Sequence, residues 1–258
     1  MSLHRFHSKE LLPTQGSFTL KLSEQEMHHF RVLRIHEGEK IALFDNEGNA
    51  IEAICNSISN SNIEVMIENV LKQNHLPHIT LVQGVSKGER MTQTIRQCTE
   101  LGIERIIPYL SDRSIVRLNQ PERHKKGDRF RSVAESAAKQ CGRSVIPCIA
   151  DPCNQKEVIS QLDNIDILLL AWEENKNKSE SITDALAKIN HNANVAIVIG
   201  PEGGFSPEEV ECFHQDLGTK VHNVQLGELI LRTETAAVVA CALASAQLGG
   251  LGHSKKVS

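Results

Sequence analysis

The stretch from Val195 to Ala237 constrains this chain most. It reads VAIVIGPEGGFSPEEVECFHQDLGTKVHNVQLGELILRTETAA. Val195–Ile199 is a continuous, largely β-branched run, which predicts a strand covered on both faces. The chain then enters Gly200, Pro201, Glu202, Gly203 and Gly204, a turn that must pass close to something or take positive φ. Ser206, Pro207 and Glu209 read as a helix start, with Ser as N-cap, Pro at the first helical position and Glu closing a capping box. Val210, Phe213 and Leu217 fall on one helical face, and Gly218 ends the helix. A second strand is predicted at 221–225, followed by a mixed loop at 226–232. The last element, 233–248, is nearly all Ala, Val and Leu and stops at Gly249 and Gly250. A helix apolar on every side must be buried, in this chain or against another copy of it.

Strand, glycine turn, helix, repeated, is an α/β unit whose ligands belong at the strand C-termini. Gly203 and Gly204 alone would be only a tight turn; two such loops after neighbouring strands point to a small-molecule site. GPEGG has no lysine followed by Ser or Thr, so it is not a phosphate-cradling loop. No GxGxxG follows a strand, which disfavours a dinucleotide site.

GPEGGFSPEE together with LGELILRTETA resembles the ribosomal RNA small subunit methyltransferase E family. These are knotted (SPOUT-class) enzymes that methylate N3 of a uridine in 16S rRNA with S-adenosylmethionine. The resemblance extends through ELGIERIIPYLSDRS at 100–114, ESAAKQCGR at 135–143 and HHFRVLR at 28–34, and so spans almost the whole chain. Alternating strands and helices alone predict an open, unknotted parallel sheet. The resemblance implies instead an α/β SPOUT methyltransferase domain with a deep C-terminal trefoil knot from Val195 onward.

Domain expectations follow. Residues 1–73 hold short strand candidates at 18–22, 40–44, 50–55 and 62–67, with turn signals at Asn46 to Gly48 and Asn60 to Asn62. A helix is expected at 23–33, with Ser23 and Glu26 at capping-box spacing. Short strands around one helix suggest a small β-barrel, which the resemblance makes a PUA-like RNA-binding barrel. Residues 74–78 are the expected linker, 79–250 the methyltransferase domain and 251–258 a tail. In that second domain, strands are expected at 79–82, 103–109 and 165–171, and helices at 90–101, 128–141 and 181–189.

A hydrophobic content of 40% permits a sizeable core in 258 residues, while a mean hydropathy of -0.26 argues for a soluble chain. Aromatics are only 3% of residues, so nucleic-acid binding would rest on charge more than on stacking. No secretory leader pattern opens the chain and no apolar run reaches membrane-spanning length. Seven cysteines are scattered without a CxxC pair or a supporting His cluster. Reduced thiols, a cytoplasmic location and no metal site are expected. The net charge is -4, unevenly spread. Residues 1–73 carry -3, residues 84–145 carry +6, and residues 146–258 carry -7. The basic segment is either a phosphate-binding face or a solvated helix face. The density of Arg113, Arg117, Arg123, Lys125, Lys126, Arg129 and Arg131 in a helix-poor stretch favours RNA.

Three loops are expected to form the cofactor pocket for S-adenosylmethionine. They comprise Leu170, Ala171, Trp172 and Glu173; Ile199, Gly200, Glu202, Gly203 and Gly204; and Leu226, Gly227, Ile230 and Leu231, with Thr235 and Ala236 behind. The family holds adenine and ribose there through main-chain groups, and glycines let a chain approach a ligand. Trp172 also reads as a strand-end core residue. Glu202 reads equally as a ribose or amino contact and as a solvated turn residue.

Methylation at N3 of uracil requires loss of a weakly acidic proton and stabilisation of the resulting charge. Arg232 is the first catalytic candidate, its alternative being an ion pair with Glu228, Glu234 or Glu202. Arg113, in the family's SDRS-like motif, is the second, acting across a dimer. No residue stands out as a general base. Arg5, His29, Arg31, Arg34, Lys87, Arg90 and Arg143 are the RNA-docking candidates, giving affinity rather than target choice. Gln97 stands where the family usually has a lysine. The implied partners are 16S rRNA or the small ribosomal subunit and a second copy of the chain, with no membrane. Two rival readings are ribose 2′-O methylation and a non-catalytic RNA-binding assembly factor; the intact GPEGG and LGELILRTETA loops weigh against the latter.

Overall fold

The computed structural model describes residues 3–45, 47–59, 62–71, 76–172, 179–187 and 189–252. The expected turn residues Asn46, Asn60 and Ser61, linker residues 74 and 75, Glu173 and the tail from 253 lie outside these. The chain forms two compact units, Met1–Asn74 with Ala138–Ile146, and His75–Ala137 with Pro147–Ser258.

The first unit contains β1 (His4–His7), β2 (Ser17–Leu20), α1 (Glu24–Val32), β3 (Lys40–Phe44), β4 (Ala50–Ile58) and β5 (Ile63–Leu71). The strands form one sheet in the order β1-β3-β4-β5-β2, with β1 parallel to β3 and the other pairs antiparallel. Phe6, Leu20, Phe30, Ile41, Ile51 and Ile63 fill its core. Strand β1 escapes a sequence reading because HRFH offers one apolar residue and no alternation. Ser23 caps α1 as expected, accepting from the Glu26 N–H at 3.2 Å. The Glu26 side chain does not return to the cap, however. It is buried, accepts the His7 N–H at 3.1 Å and pairs with Lys139, so a buried partner outcompetes the local one.

The second unit contains β6 (Ile79–Gly84), α2 (Arg90–Glu100), β7 (Arg105–Tyr109), most of α3 (Gln120–Cys141), β8 (Cys148–Ile149), α4 (Gln155–Ile159), β9 (Ile167–Ala171), β10 (Glu180–Ser181), α5 (Ile182–Leu186), β11 (Val195–Ile199), α6 (Pro207–Leu217), β12 (Val221–Gln225) and α7 (Thr233–Gln247). Its sheet runs β10-β12-β9-β11-β6-β7-β8, and every pairing is parallel. Strand β11 sits between β9 and β6 with all five residues buried, as its unbroken apolar run requires. The capping box of α6 forms in full, with Pro207 in its first turn, and Gly218 ends the helix.

Helix α3 begins eight residues before the expected start at 128. Asn119 and Glu122 exchange side-chain and backbone hydrogen bonds at 2.8 and 3.0 Å, which starts the helix at Gln120 despite Pro121. Gly127 lies inside it. A Cβ there would stand 1.9 Å from the Asp151 carboxylate, which bonds Arg131 at 2.9 Å. The stretch expected to be helix-poor is therefore largely helical, and much of its charge is already paired. Arg123 bonds Glu157 at 3.0 Å, Arg129 bonds Glu89 at 2.6 Å, and Arg131 bonds Asp128 at 2.8 Å.

Helix α7 buries Ala236, Ala237, Ala240, Cys241, Ala244 and Leu248. Its other side is open in this chain: Val238 and Val239 are half-buried and Leu243 is 38% exposed.

Candidate active site

Parallel order brings the C-terminal ends of β9, β11 and β12 side by side, so the loops leaving them meet at one edge of the sheet. They enclose a cavity of about 590 Å³. From β9 come Ala171 and Trp172; from β11 come Ile199, Gly200, Pro201, Glu202, Gly203, Gly204 and Phe205. From β12 and the start of α7 come Val224, Gln225, Leu226, Gly227, Leu229, Ile230, Leu231, Arg232, Thr233, Glu234 and Ala236, and Arg90, Arg113 and Ser179 complete the wall. Of the fourteen expected cofactor residues, only Leu170 and Thr235 fall outside this lining. Leu170 is fully buried in the core and Thr235 is exposed.

Two close approaches shape the cavity. A Cβ on Gly84, at the end of β6, would lie 2.3 Å from the Pro201 nitrogen, so only glycine lets the Gly200–Pro201 bond rest there. A Cβ on Gly203 would stand 3.0 Å from the Arg113 carbonyl oxygen, which brings the glycine loop against the Arg113 turn. Beneath them, the buried Gln83 amide donates to Thr233 Oγ1 at 2.8 Å, and Thr233 Oγ1 donates to the Gly200 carbonyl at 2.5 Å. Gln83 and Thr233 thus tie the start of α7 to the end of β11. Sequence reasoning missed both, because neither carries a motif apart from these partners. Thr233 does lie within LGELILRTETA, which is the only signal that could have found it.

The arginines separate clearly. Arg232 occupies the N-cap position of α7 and lines the cavity. Among the described residues it makes no ion pair with Glu228, Glu234 or Glu202, the partners its sequence offered. Arg113 also lines the cavity and donates to the Gly203 carbonyl at 3.4 Å. Arg90, expected to dock RNA, lies in the cavity wall, 2.5 Å from Glu202 and 3.9 Å from Glu234.

The remaining RNA-docking candidates divide by burial. His29, Arg31, Arg34 and Lys87 are exposed. Arg143 is 8% exposed, and Arg5 stacks 5.4 Å over the Phe44 ring while bonding the Arg143 carbonyl at 3.3 Å. Burial lowers the pKa of Arg5 despite the nearby Cys141.

A parallel α/β unit with a glycine-lined cavity at its strand ends, in a chain that also carries a small β-rich unit, is the architecture of an α/β protein with a ligand site at its strand ends. A family model described as RNA methyltransferase domain matches residues 72–245, and one described as RNA methyltransferase PUA domain matches residues 22–68. The ribosomal RNA small subunit methyltransferase E of Aquifex aeolicus is 32% identical over 241 residues, covering 92% of this chain and 96% of that one. Its namesake in Bacillus subtilis is 29% identical, covering 89% and 90%. The crystal structure of the namesake from Neisseria gonorrhoeae, bound to S-adenosyl methionine, superposes with a TM-score of 0.78 at 28% identity, covering 93% and 96%. The chain belongs to the ribosomal RNA small subunit methyltransferase E family.

Proposed function

We propose that this protein transfers the methyl group of S-adenosylmethionine to N3 of a uridine in 16S rRNA, in the cytoplasm, as a homodimer. The carrying observation is the convergence of the β9, β11 and β12 loops on one glycine-lined cavity in a chain of this family. The cavity fits the cofactor. Its volume suits a nucleoside-sized ligand, and the Trp172 indole N–H is buried in its wall without a hydrogen-bond partner among the described residues. Such a donor offers a place for a ligand acceptor, as well as for an ordered water.

When bound, the cofactor supplies an already activated methyl group. The chain's own part is alignment, exclusion of water and management of charge on uracil. The loops at 199–204 and 226–231, with Ala171, Trp172 and Ala236, hold the cofactor mainly through backbone. Arg232, free of ion pairs among the described residues, hydrogen-bonds a uracil carbonyl and stabilises the charge left when N3 loses its proton. Arg113, which lines the same cavity in this chain, is the second contact to that base. Exposed His29, Arg31, Arg34 and Lys87 dock phosphate.

The homodimer reading rests on the open apolar side of α7, with Val238, Val239 and Leu243 left for a partner copy. The knot reading rests on the family alone, with the chain from Val195 passing through the preceding fold.

Mass spectrometry of digested rRNA from a deletion strain tests the reaction. Loss of a base-methylated uridine in 16S rRNA is expected; loss of a ribose methyl would overturn the N3 assignment. Calorimetry should detect S-adenosylmethionine binding that disappears in Gly204→Val, since Gly204 has φ +70. Light scattering showing a monomer of 28.6 kDa at micromolar concentration would refute the dimer.

A further inference from the structure

Glu209 does more than cap α6. In an ordinary capping box, the glutamate returns one oxygen to the cap N–H and needs no other partner. Glu209 is only 2% exposed and divides its two oxygens between distant parts of the chain. Oε2 accepts the Ser206 N–H at 2.9 Å, which is the capping bond. Oε1 accepts the Asp112 N–H at 3.0 Å and the Tyr109 hydroxyl. The Glu209 backbone is held as well, its carbonyl accepting from the Gln155 amide at 2.6 Å. Burial first, then the bond to Glu209, pushes the Tyr109 pKa up, so the phenol stays a donor.

Asp112 is the second residue of a tight turn at 111–114, and Arg113 is the third. The turn is closed by the Ser114 N–H on the Ser111 carbonyl at 3.0 Å, with both serines buried. Ser206 directly follows the loop that carries Gly203 and Gly204. One carboxylate therefore joins the turn that presents Arg113 to the start of α6, just after the glycine loop that packs against that turn.

We propose that Glu209 is a positioning residue for Arg113. Its second oxygen fixes the turn, and the turn fixes where the guanidinium meets the methyl acceptor. The proposal rests on the reading of Arg113 as a substrate contact. A glutamine at 209 offers one acceptor oxygen and an NH₂ group, so it cannot accept from both Ser206 and Asp112. If the NH₂ faces the turn, Tyr109 can rotate to accept from it but the Asp112 N–H loses its acceptor; if it faces the cap, the Ser206 N–H loses its acceptor, so one end of the link breaks either way.

The test uses the full-length protein with Glu209→Gln, Arg113→Ala and the pair together. Glu209→Gln is expected to lower kcat about tenfold at saturating RNA and cofactor, with cofactor Kd held within about twofold. In the Arg113→Ala background the same change should cost less than about twofold. Equal losses in both backgrounds would show a general structural effect and overturn the proposal. Amide hydrogen exchange at Asp112 and Ser206 gives a reading independent of activity, and should speed up about tenfold or more at one of the two in Glu209→Gln. Unchanged exchange at both amides would overturn the proposal. If exchange rises but Arg113→Ala is itself fully active, the contact role of Arg113 fails while the Glu209 linkage stands. Should Glu209→Gln not fold, Asp112→Pro removes the same donor from the other side at a turn position that accepts proline, and the same non-additivity with Arg113→Ala is expected.

Discussion

Arg90 Nη1 lies 2.5 Å from Glu202 Oε1, and its Nε lies 3.9 Å from Glu234 Oε1, so one guanidinium bridges two carboxylates in the cavity wall. Sequence alone left Glu202 open between a ligand contact and a solvated turn, and assigned Arg90 to RNA. In the structure they pair with each other in the cavity wall. Glu202 enters the site as half of a neutralised pair, and Arg90 serves as the cation between two like charges that would otherwise repel.

Arg90→Ala should therefore weaken S-adenosylmethionine binding roughly threefold or more, while stability falls by less than about 1 kcal/mol, because the pair is partly solvated. Adding Glu202→Gln should restore much of the affinity. Calorimetry on the two variants checks this. Unchanged cofactor affinity with a raised KM for RNA would return Arg90 to the docking set.

Arg232→Ala should lower turnover roughly a hundredfold, by analogy with loss of one donor to a developing anion, with cofactor Kd little changed. Rates measured at saturating RNA decide it. Normal turnover at saturation, or outright loss of cofactor binding, would reassign the role.

Arg34 is the one non-glycine residue of positive φ among those described, at 54°, directly after the C-cap of α1. A left-handed arginine costs about 1 kcal/mol relative to glycine at such a helix end. Arg34→Gly should raise stability by up to about 1 kcal/mol while weakening RNA binding and flattening its salt dependence. Urea unfolding beside RNA titrations at several salt concentrations reads both. A more stable variant with unaltered RNA binding would remove Arg34 from the docking set.

Alkaline pH should unfold the protein through its buried thiols. Burial, reinforced by Glu39, raises Cys55 from 9.0 to about 11. Burial, reinforced by Glu157, does the same for Cys153. The unfolded chain thus releases these protons at lower pH than the folded one, so ionisation favours unfolding. Their contribution is intact below about pH 9 and is lost as pH climbs toward 11. Urea midpoints measured across that range should fall, and should fall less steeply in a Cys55→Ala, Cys153→Ala variant. Equal slopes would contradict this account.

Much of the second unit was legible because its signals are local. The unbroken apolar run at Val195–Ile199, the Ser206–Glu209 box with Pro207, and Gly218 each act within a few residues, and each forms as its local chemistry dictates. Strands β1, β8 and β10 were not legible, since two to four residues cannot display a period. The early start of α3 was hidden for a related reason. Pro121 falls in the helix's opening turn and Gly127 makes room for Asp151, neither of which a local pattern shows.

By itself, then, the sequence determined most strands and helices of the second unit, that glycine loops would follow the central strands, and which family's motifs those loops carry. The tertiary structure alone decided which side chains are spoken for. Glu26 had capping-box spacing and was taken instead by His7 and Lys139, the latter 113 residues away. Glu209 had the same spacing, kept its cap, and gained Tyr109 and Asp112 from 100 and 97 residues away. Arg90 reached Glu202 across 112 residues, whereas Arg232 was left without an ion-pair partner among the described residues. The physical reason is reach. Capping and periodicity act over three or four positions, but a buried charge must be satisfied by whichever donor the strand order brings beside it.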